Sequence, residues 1–359
     1  MSLPSRAHLV AELRRDMPTE HSLFLDLGSC ALEVRVSDPR LRDELARYFA
    51  SFLVAPGPAD ILVTVHEAAP PDWPLEYEEK APDPGKTKIK EEYADIPGGR
   101  VVRKKLTGMV FVFGQGENAA VGPCLANANQ VVNFINNRHI EFLLNRGSLL
   151  GHASGVTWDG RGLSLAGFSG MGKSTLALHL LSLGVSFVSN DRMMVERDGE
   201  GVWMHGVAKQ PRINPGTALN NPDLAGVVSE EDRLRFLRLP PGELWKLEHK
   251  YDALIEECFG TERFVLTAPM HGLVVLNWRR GGGEARAQLV NPSERRDLLE
   301  AFIKAPGVFY LPSGRGRLEP SVEDYVELLS RAALIEISGG VDFERAACAC
   351  LRFLETGEI

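Results

Sequence analysis

The octapeptide from Gly167 to Ser174 fits the phosphate-binding pattern G-x-x-x-x-G-K-[ST] without a gap. A polyphosphate needs several backbone N–H donors that converge on it, and only glycine lets the backbone curl that closely. Lys173 would reach the β- and γ-phosphates as a point charge, and Ser174 would place its hydroxyl on Mg²⁺. The octapeptide therefore predicts a nucleotide-binding loop. The residues expected to contact the nucleotide are Gly167, Ser169, Gly170, Met171, Gly172, Lys173, Ser174 and Thr175.

The flanking sequence has the order that such a loop needs. Residues 162–166 predict a short strand that runs into the loop. The leucine-rich residues 175–183 predict a helix that ends at Gly184, since glycine readily takes the conformation that follows a helix. The N-terminus of that helix would add positive potential next to the phosphates. A glycine-rich turn before a core helix is the alternative, and the strand–loop–helix order favours nucleotide binding.

Composition limits the class of protein. The chain has 359 residues, of which 44% are hydrophobic, enough for two domains or for one large domain with a satellite. Its formal net charge of −8 argues against a nucleic-acid binder and against adhesion to an anionic membrane. The first residues lack the apolar core of a secretory signal, and no apolar run reaches the length of a membrane span. With five scattered cysteines, we expect a cytoplasmic protein with reduced thiols.

The strand and helix patterns predict two domains. Residues 22–66 follow the order strand, strand, helix, strand, which is typical of a small α+β unit. Residues 68–99 are rich in Pro, Glu, Lys and Asp and predict a long exposed excursion. The expected domains are an N-terminal α+β accessory domain over 1–127 and a P-loop kinase core over 128–359, which opens with a helix over 129–146.

Beyond the loop helix, strand patterns outnumber helix patterns. Residues 185–188 predict a strand, a hairpin is expected over 193–205, and a second hairpin over 273–290. Helices return at 322–334 and 343–354. Because strands and helices do not alternate as in a doubly wound sheet, the expected fold class is α/β of an α+β-like kind.

Four segments of the core resemble one known family when they are taken together. They are Gly151 to Ser154, the octapeptide, Phe187 to Asp191, and Leu247 to Lys250. In this order they resemble the HPr kinase/phosphorylase superfamily, and most closely its HPr-kinase-related kinase B group, over roughly residues 128–310. The resemblance implies a curved, largely β core around a P-loop, like that of phosphoenolpyruvate carboxykinase, with ATP and Mg²⁺ as cofactors.

The resemblance also implies roles for single residues. His152 matches the family's catalytic-site histidine, and Lys173 and Ser174 match its phosphate and metal residues. Asp191 matches the second acid of an Asp-Asp pair, and Glu248 matches a signature glutamate near the metal. The implied catalytic residues are thus His152, Lys173 and Asp191, and the implied metal ligands are Ser174, Asp191 and Glu248.

The same residues have structural alternatives when they are read without the family. A strand next to such a loop often presents an acid to magnesium, which favours a functional Asp191, while the alternative is a turn residue before Arg192. For His152, a catalytic role and a hydrogen-bonded core position weigh equally. Glu248 lies in a charged run that is typical of a solvated helix face.

Two positions depart from the family pattern. Asn190 stands where the family has the acid that takes the proton from the acceptor hydroxyl, and an amide cannot act as a base at neutral pH. Either Asp191 does that work here or base catalysis is weak. Lys250 replaces an arginine and loses its planar, bidentate recognition of a carboxylate or phosphate.

Three functions stay open at this point. The first is an ATP-dependent kinase that acts on a hydroxyl of a protein, in particular a serine. The second is a small-molecule kinase with the same site, and the third is a nucleotide-binding regulatory module with weak catalysis. Arg192, Lys209 and Arg212 are candidates for neutralising the transferred phosphoryl group, and surface ion pairs are the alternative of equal weight. The resemblance implies a homo-oligomer, and no nucleic-acid or membrane partner is expected.

Overall fold

The structure is a computed structural model that describes residues 3–82, 87–114, 116–199, 201–244, 247 and 249–359. The described residues divide into two compact units. Unit 1 comprises Met1–Arg146 and Pro306–Leu318, and unit 2 comprises Gly147–Ala305 and Glu319–Ile359. Among the residues that the structure describes, no helix has the length and apolar character needed to cross a membrane. The cysteines are free thiols.

Unit 1 is a mixed sheet with helices. Its elements are, in chain order, α1 (Arg6–Asp16), β1 (His21–Asp26), β2 (Ala31–Val36), α2 (Pro39–Tyr48), β3 (Ile61–Glu67), β4 (Glu78–Glu79), β5 (Glu91–Ile96), β6 (Gly99–Lys104), β7 (Val110–Gly114), β8 (Glu117–Gly122) and α3 (Ala128–Leu144). The strand order in the sheet is β1-β2-β3-β8-β7-β6-β5-β4.

The predicted strand, strand, helix, strand order at the start of unit 1 is confirmed. β1 and β2 form an antiparallel hairpin, whereas β2 and β3 are parallel. Parallel neighbours need a crossover, and α2 supplies it. The Asp38 side chain caps this helix by accepting from the Arg40 N–H, and Leu41 and Leu45 are buried.

The exposed excursion predicted for residues 68–99 is only partly correct. β4 and β5 lie within it, and β5 pairs along its whole length with β6. Trp73 and Ile96 are buried in the core of unit 1. The charged residues of this segment predict exposure, but they also pair across strands. Glu91, for example, forms an ion pair with Lys104 on the neighbouring strand. Residues 83–86, in the middle of the excursion, lie outside the described residues.

Helix α3 belongs to unit 1, so the division falls at 146/147 and not at 127/128. Its buried Arg138 pairs with Glu141 at 3.1 Å and donates to the Phe309 carbonyl. Glu141 in turn accepts from the Leu311 N–H at 3.0 Å. These bonds fix residues 306–318 in unit 1, because a buried guanidinium needs its partners. Residues 306–318 rejoin unit 1 from far along the chain, and no local sequence pattern predicts this.

Unit 2 contains the remaining elements. They are β9 (Leu149–Gly151), β10 (Ala153–Trp158), β11 (Arg161–Gly167), α4 (Lys173–Ser182), β12 (Ser186–Ser189), β13 (Met193–Asp198), β14 (Gly201–His205), β15 (Arg212–Ile213), α5 (Pro215–Leu219), α6 (Glu230–Phe236), α7 (Pro241–Leu244), β16 (Tyr251–Asp252), α8 (Ile255–Phe259), β17 (Thr267–Trp278), β18 (Arg286–Val290), α9 (Arg296–Leu299), α10 (Val322–Leu329), β19 (Ala333–Gly339) and α11 (Phe343–Thr356). The large sheet has the order β12-β10-β11-β17-β14-β13-β9, with β19 beside β17 and β18 beside β19.

The long strand β17 organises unit 2. Residues 267–269 pair with β14, while residues 270–278 lie parallel to β11 and β19. Residues 273–276 are fully buried, as expected for a parallel strand that is covered on both faces. This mixture of parallel and antiparallel strands with helices makes the protein a mixed α/β fold.

The structure corrects two predictions about the C-terminal half of unit 2. The hairpin expected over 273–290 is wrong, because β18 pairs with β19 and β19 lies between β17 and β18. The helix expected over 322–334 ends at Leu329, and residues 333–339 form β19. The glycine run after β17 has the appearance of a hairpin turn, but burial of Ile335 and Ile337 places a later strand there. The hairpin over 193–205 is confirmed as β13 and β14.

Candidate functional site

The glycine-rich loop (residues 167–174) leaves the end of β11 and enters α4 at Lys173. Gly170 and Gly172 have φ values of 82° and 90°, a left-handed backbone that side-chain-bearing residues rarely adopt. A Cβ at Gly172 would also lie 2.6 Å from Cζ of Phe343, while a Cβ at Gly170 would meet nothing within 4 Å. The backbone conformation therefore favours glycine at both positions. At Gly172 the neighbouring Phe343 ring also leaves no room for a side chain.

Two aromatic residues from distant parts of unit 2 support the loop. The Trp278 indole N–H donates to the Met171 carbonyl at 3.0 Å. The Phe343 ring meets the Trp278 ring edge-on, with 5.0 Å between the ring centroids. Sequence reasoning missed both residues, because neither carries a motif and they reach the loop only through β17 and α11.

The reactive groups of the loop are held by polar contacts within unit 2. Lys173 Nζ donates to the Gly167 carbonyl at 2.7 Å. The Ser174 hydroxyl donates to Oδ1 of Asn190 at 2.6 Å, and the Ser154 hydroxyl donates to the same oxygen at 2.9 Å. Asn190 thus accepts two hydroxyl hydrogen bonds. The sequence pattern does not predict the hydrogen bond between Ser154 and Asn190.

Asp191 and His152 form a pair at the mouth of the loop. Nε2 of His152 lies 3.1 Å from Oδ1 of Asp191, and Nε of Arg192 lies 3.4 Å from Oδ2. Burial alone would raise the pKa of Asp191, but the His152 hydrogen bond and the Arg192 and Lys304 charges hold that pKa well below its usual range. Asp191 has φ 73°, and such strain is typical of functional positions.

Strand pairing brings these two residues together across 39 positions of sequence. β9 pairs with β13, which sets Gly151 opposite Met193, and β10 pairs with β12, which sets Gly155 opposite Ser189. His152 lies between β9 and β10, and Asp191 lies between β12 and β13. The two turns therefore meet at neighbouring ends of these strands. A bridge between Gly151 and Ile303 brings Lys304 to the same place.

A cavity of about 410 Å³ opens between the loop and these turns. It is lined by His152, Ser169, Gly170, Lys173, Ser174, Asn190, Asp191, Lys209, Gln210, Arg212 and Lys250. Among the described lining residues, four carry a positive charge and one carries a carboxylate. Burial lowers the pKa of Lys173 and also that of Lys209, where the Arg192 and Arg212 charges add to the effect. The cavity is thus cationic, although the chain as a whole is acidic.

The structure brings together most of the predicted site residues. His152, Ser169, Gly170, Lys173, Ser174 and Asp191 line the cavity. Gly167, Met171, Gly172 and Thr175 are not among the described lining residues. The first three shape the loop, and the Thr175 hydroxyl lies 3.4 Å from that of Thr217. Glu248 lies outside the described residues, so its predicted metal role stays a prediction.

The predicted cations have different environments. Lys209 and Arg212 line the cavity, whereas Arg192 contacts the Asp191 carboxylate. Gln210 also lines the cavity and was not predicted, since a lone amide gives no sequence signal. Within the described part of the chain, no group of three or more His, Cys, Asp or Glu side chains could hold a metal ion.

Comparisons with known proteins show similarity in structure. No protein-family model matches the chain, and no curated protein sequence matches it. Among solved structures, the chain is similar to the Hpr(Ser) kinase/phosphatase from Coxiella burnetii, with a TM-score of 0.29 and 12% sequence identity. The match covers 58% of this chain and 88% of that one. A likeness at this level assigns no function to the chain.

Proposed function

We propose that this protein is an ATP-dependent phosphotransferase of the HPr-kinase-like type, which moves the γ-phosphoryl group of ATP to a hydroxyl. One observation carries the proposal. The glycine-rich loop, with Lys173 and Ser174 at the start of α4, opens onto a cationic cavity that also holds the Asp191–His152 pair. The acceptor that the sequence resemblance favours is a protein serine, and a small alcohol is the alternative.

The loop supplies what a triphosphate requires. The backbone N–H groups at the start of α4 have no intrahelical partners, and they add to the positive end of the helix dipole. Lys173 Nζ would exchange the Gly167 carbonyl for phosphate oxygens, and a charge-assisted hydrogen bond is stronger than the bond it replaces. The left-handed glycines leave the loop free of side chains that would block this approach.

The oxygen groups beside the loop fit a magnesium ion. Mg²⁺ prefers hydroxyl, carboxylate and phosphate oxygens, and it would neutralise charge on the triphosphate. Ser174 and Asp191 would hold it together with the substrate's phosphates. The Ser174 hydroxyl then gives up its bond to Asn190, whose oxygen is left to accept from Ser154 alone.

The transfer itself needs orientation more than strong base catalysis. The bond from the γ-phosphorus to the β–γ bridging oxygen breaks, a bond to the acceptor oxygen forms, and ADP leaves. The hydroxyl proton passes to Asp191 or, through it, to His152, which lie 3.1 Å apart. A carboxylate with a lowered pKa is a weak base, so its main task is to hold the hydroxyl in line.

Substitution of Lys173 tests the proposal. Lys173→Ala removes the point charge from the phosphate site, and we expect phosphoryl transfer to fall by at least about a hundredfold while the melting temperature stays the same. Arg296→Gln, which removes an exposed cation outside the cavity, is the matched control. Undiminished turnover in the Lys173 variant contradicts the proposal.

An acceptor screen with γ-labelled ATP separates the two acceptor classes. Label on a protein band identifies a protein kinase, and label on a metabolite identifies a small-molecule kinase. Release of phosphate without any acceptor identifies an ATPase.

A nucleotide-binding regulatory module with weak catalysis is the second candidate, and Asn190 favours it. The amide sits beside Ser174 where an acid would provide a base or a metal ligand. Asn190→Asp changes little in shape, because the two side chains are nearly isosteric. If the wild-type protein binds ATP without transfer and Asn190→Asp gains transfer, the regulatory function is the better account. Transfer by the wild-type protein supports the kinase.

A further inference from the structure

Most of the positive charge in the cavity lies outside the glycine-rich loop. Lys173 belongs to the loop, but Lys209 lies in the segment before β15, Arg212 is the first residue of β15, and Lys250 precedes β16. Mg²⁺, Lys173 and the N-terminus of α4 already supply the groups that a triphosphate needs. The other three cations therefore point to a second anion.

The segment that carries these cations is fixed in place. The buried Gln210 accepts from the Ile255 N–H at 3.0 Å through its side-chain oxygen. The Pro211 carbonyl accepts from the Ala253 N–H at 2.9 Å, and β15 pairs with β16 in the adjacent register. A binding group on so rigid a backbone loses little freedom when its ligand arrives.

Among the described residues, Lys209 and Arg212 have few direct polar partners. In the part of the chain that the structure describes, no hydrogen bond or ion pair engages the ammonium group of Lys209, which is only partly exposed. Arg212 approaches Asp252 at 3.4 Å through Nε, and both side chains are about half exposed. Such a pair is weak and leaves the outer guanidinium N–H groups for another acceptor.

We propose that Lys209, Arg212 and Lys250 form an anion subsite that binds a carboxylate or phosphate group of the acceptor. The acceptor is then a small alcohol that carries its own negative charge. The guanidinium fork of Arg212 matches either anion bidentately, and Lys209 adds a point charge. The inference rests on the proposed phosphotransferase function, because it assigns the loop to the nucleotide.

The volume of the cavity is compatible with a small acceptor. The subsite and the glycine-rich loop share one space of about 410 Å³, which lies near the lower end of the range of small-ligand pockets. Part of that space is needed for the phosphates of the nucleotide. A single charged group with a neighbouring hydroxyl fits the remainder.

Inorganic phosphate is a suitable probe for the subsite. Calorimetric titration of phosphate into the full chain, saturated with Mg²⁺ and a non-hydrolysable ATP analogue, should show binding. At saturating analogue, the double variant Lys209→Gln/Arg212→Gln should lose at least about tenfold in phosphate affinity. Lys209→Arg should retain phosphate binding, and Arg296→Gln is the control for a lost cation elsewhere in unit 2.

The outcomes separate the subsite from the proposed function. The proposed subsite is wrong if phosphate no longer binds once the analogue is bound. It is also wrong if phosphate still binds to the double variant. If the analogue does not bind at all, the proposed function fails. The subsite is then judged on phosphate titrations without nucleotide, where dependence on Lys209 and Arg212 supports it and independence overturns it.

A labelling experiment tests the charge of the acceptor. Extracts of the source cells are divided into macromolecules, small molecules retained on an anion exchanger, and small molecules that pass through it. Transfer of label from ATP into the retained fraction supports an anionic small alcohol. Transfer only into the neutral fraction or into protein overturns it. If no fraction is labelled, the phosphotransferase function fails, and the phosphate titrations decide the subsite.

Discussion

The two left-handed glycines of the loop allow a prediction in which one serves as control for the other. Gly170→Ala and Gly172→Ala each introduce a Cβ at a positive φ, which costs about 1–2 kcal/mol. At Gly172 the new Cβ would also lie 2.6 Å from the Phe343 ring, and over-packing of this kind costs about 1–3 kcal/mol more. We therefore expect a loss of about 1–2 kcal/mol for Gly170→Ala and about 2–5 kcal/mol for Gly172→Ala.

Urea unfolding, followed by a signal from unit 2 such as Trp278 fluorescence, measures this difference. The entropy that alanine removes from the unfolded chain is the same in both variants and cancels in the comparison. Phe343→Ala in the Gly172→Ala background should recover the over-packing part but not the backbone strain, with a coupling energy of about 1 kcal/mol or more. Equal losses for the two alanine variants, or no coupling to Phe343, would refute the reasoning.

Three further perturbations have defined outcomes. Trp278→Phe removes the hydrogen bond to the Met171 carbonyl and should destabilise unit 2 by about 0.5–1.5 kcal/mol in urea unfolding, and a more stable variant would contradict this. The lowered pKa of Lys209 leaves more neutral amine at a given pH, so an acylating reagent should modify Lys209 faster than the exposed Lys88 at pH 7.5. Mass spectrometry measures the two rates, and equal rates would contradict the lowered pKa. Burial raises the pKa of Tyr310 to about 12, so the stability gained from its neutral phenol is complete below pH ~10 and is lost as the pH rises toward 12. In Tyr310→Phe, the free energy of unfolding measured with urea should fall less steeply over this alkaline range. An unchanged pH dependence of that free energy would contradict the prediction.

The glycine-rich loop could be predicted because all of its requirements lie in one short segment. The left-handed backbone of the loop requires Gly170 and Gly172, and this requirement is local. The flanking strand and helix are also local, and the structure has them as β11 and α4. The same holds for the hairpin of β13 and β14, whose turn and alternation are contiguous in sequence.

The arrangement of the C-terminal strands could not be predicted from local pattern. β19 inserts between β17 and β18 from more than 40 residues further along the chain. Of the seven residues of β19, the helix predicted over 322–334 covers only Ala333 and Leu334, and no strand is predicted for the rest. β19 is a strand because it is buried between two partner strands, and a short stretch of sequence does not show those partners.

The site itself shows the same division. Asp191 and Lys209 could be proposed from sequence. The two hydrogen bonds that Asn190 accepts, and the one that Trp278 donates to the loop, depend on strand register. Lys304 reaches the site through a bridge beside β9 and has no motif of its own. Long-range pairing positions these groups, so they become visible only in three dimensions.

Hydrogen–deuterium exchange tests the central claim most directly, because the claim is that backbone amides of the glycine-rich loop hold the phosphates of ATP. With Mg²⁺ and ATP present, the account predicts slower exchange at residues 169–175, and Lys173→Ala should abolish that protection. Unchanged exchange there, or protection confined to another part of the chain, would contradict the account.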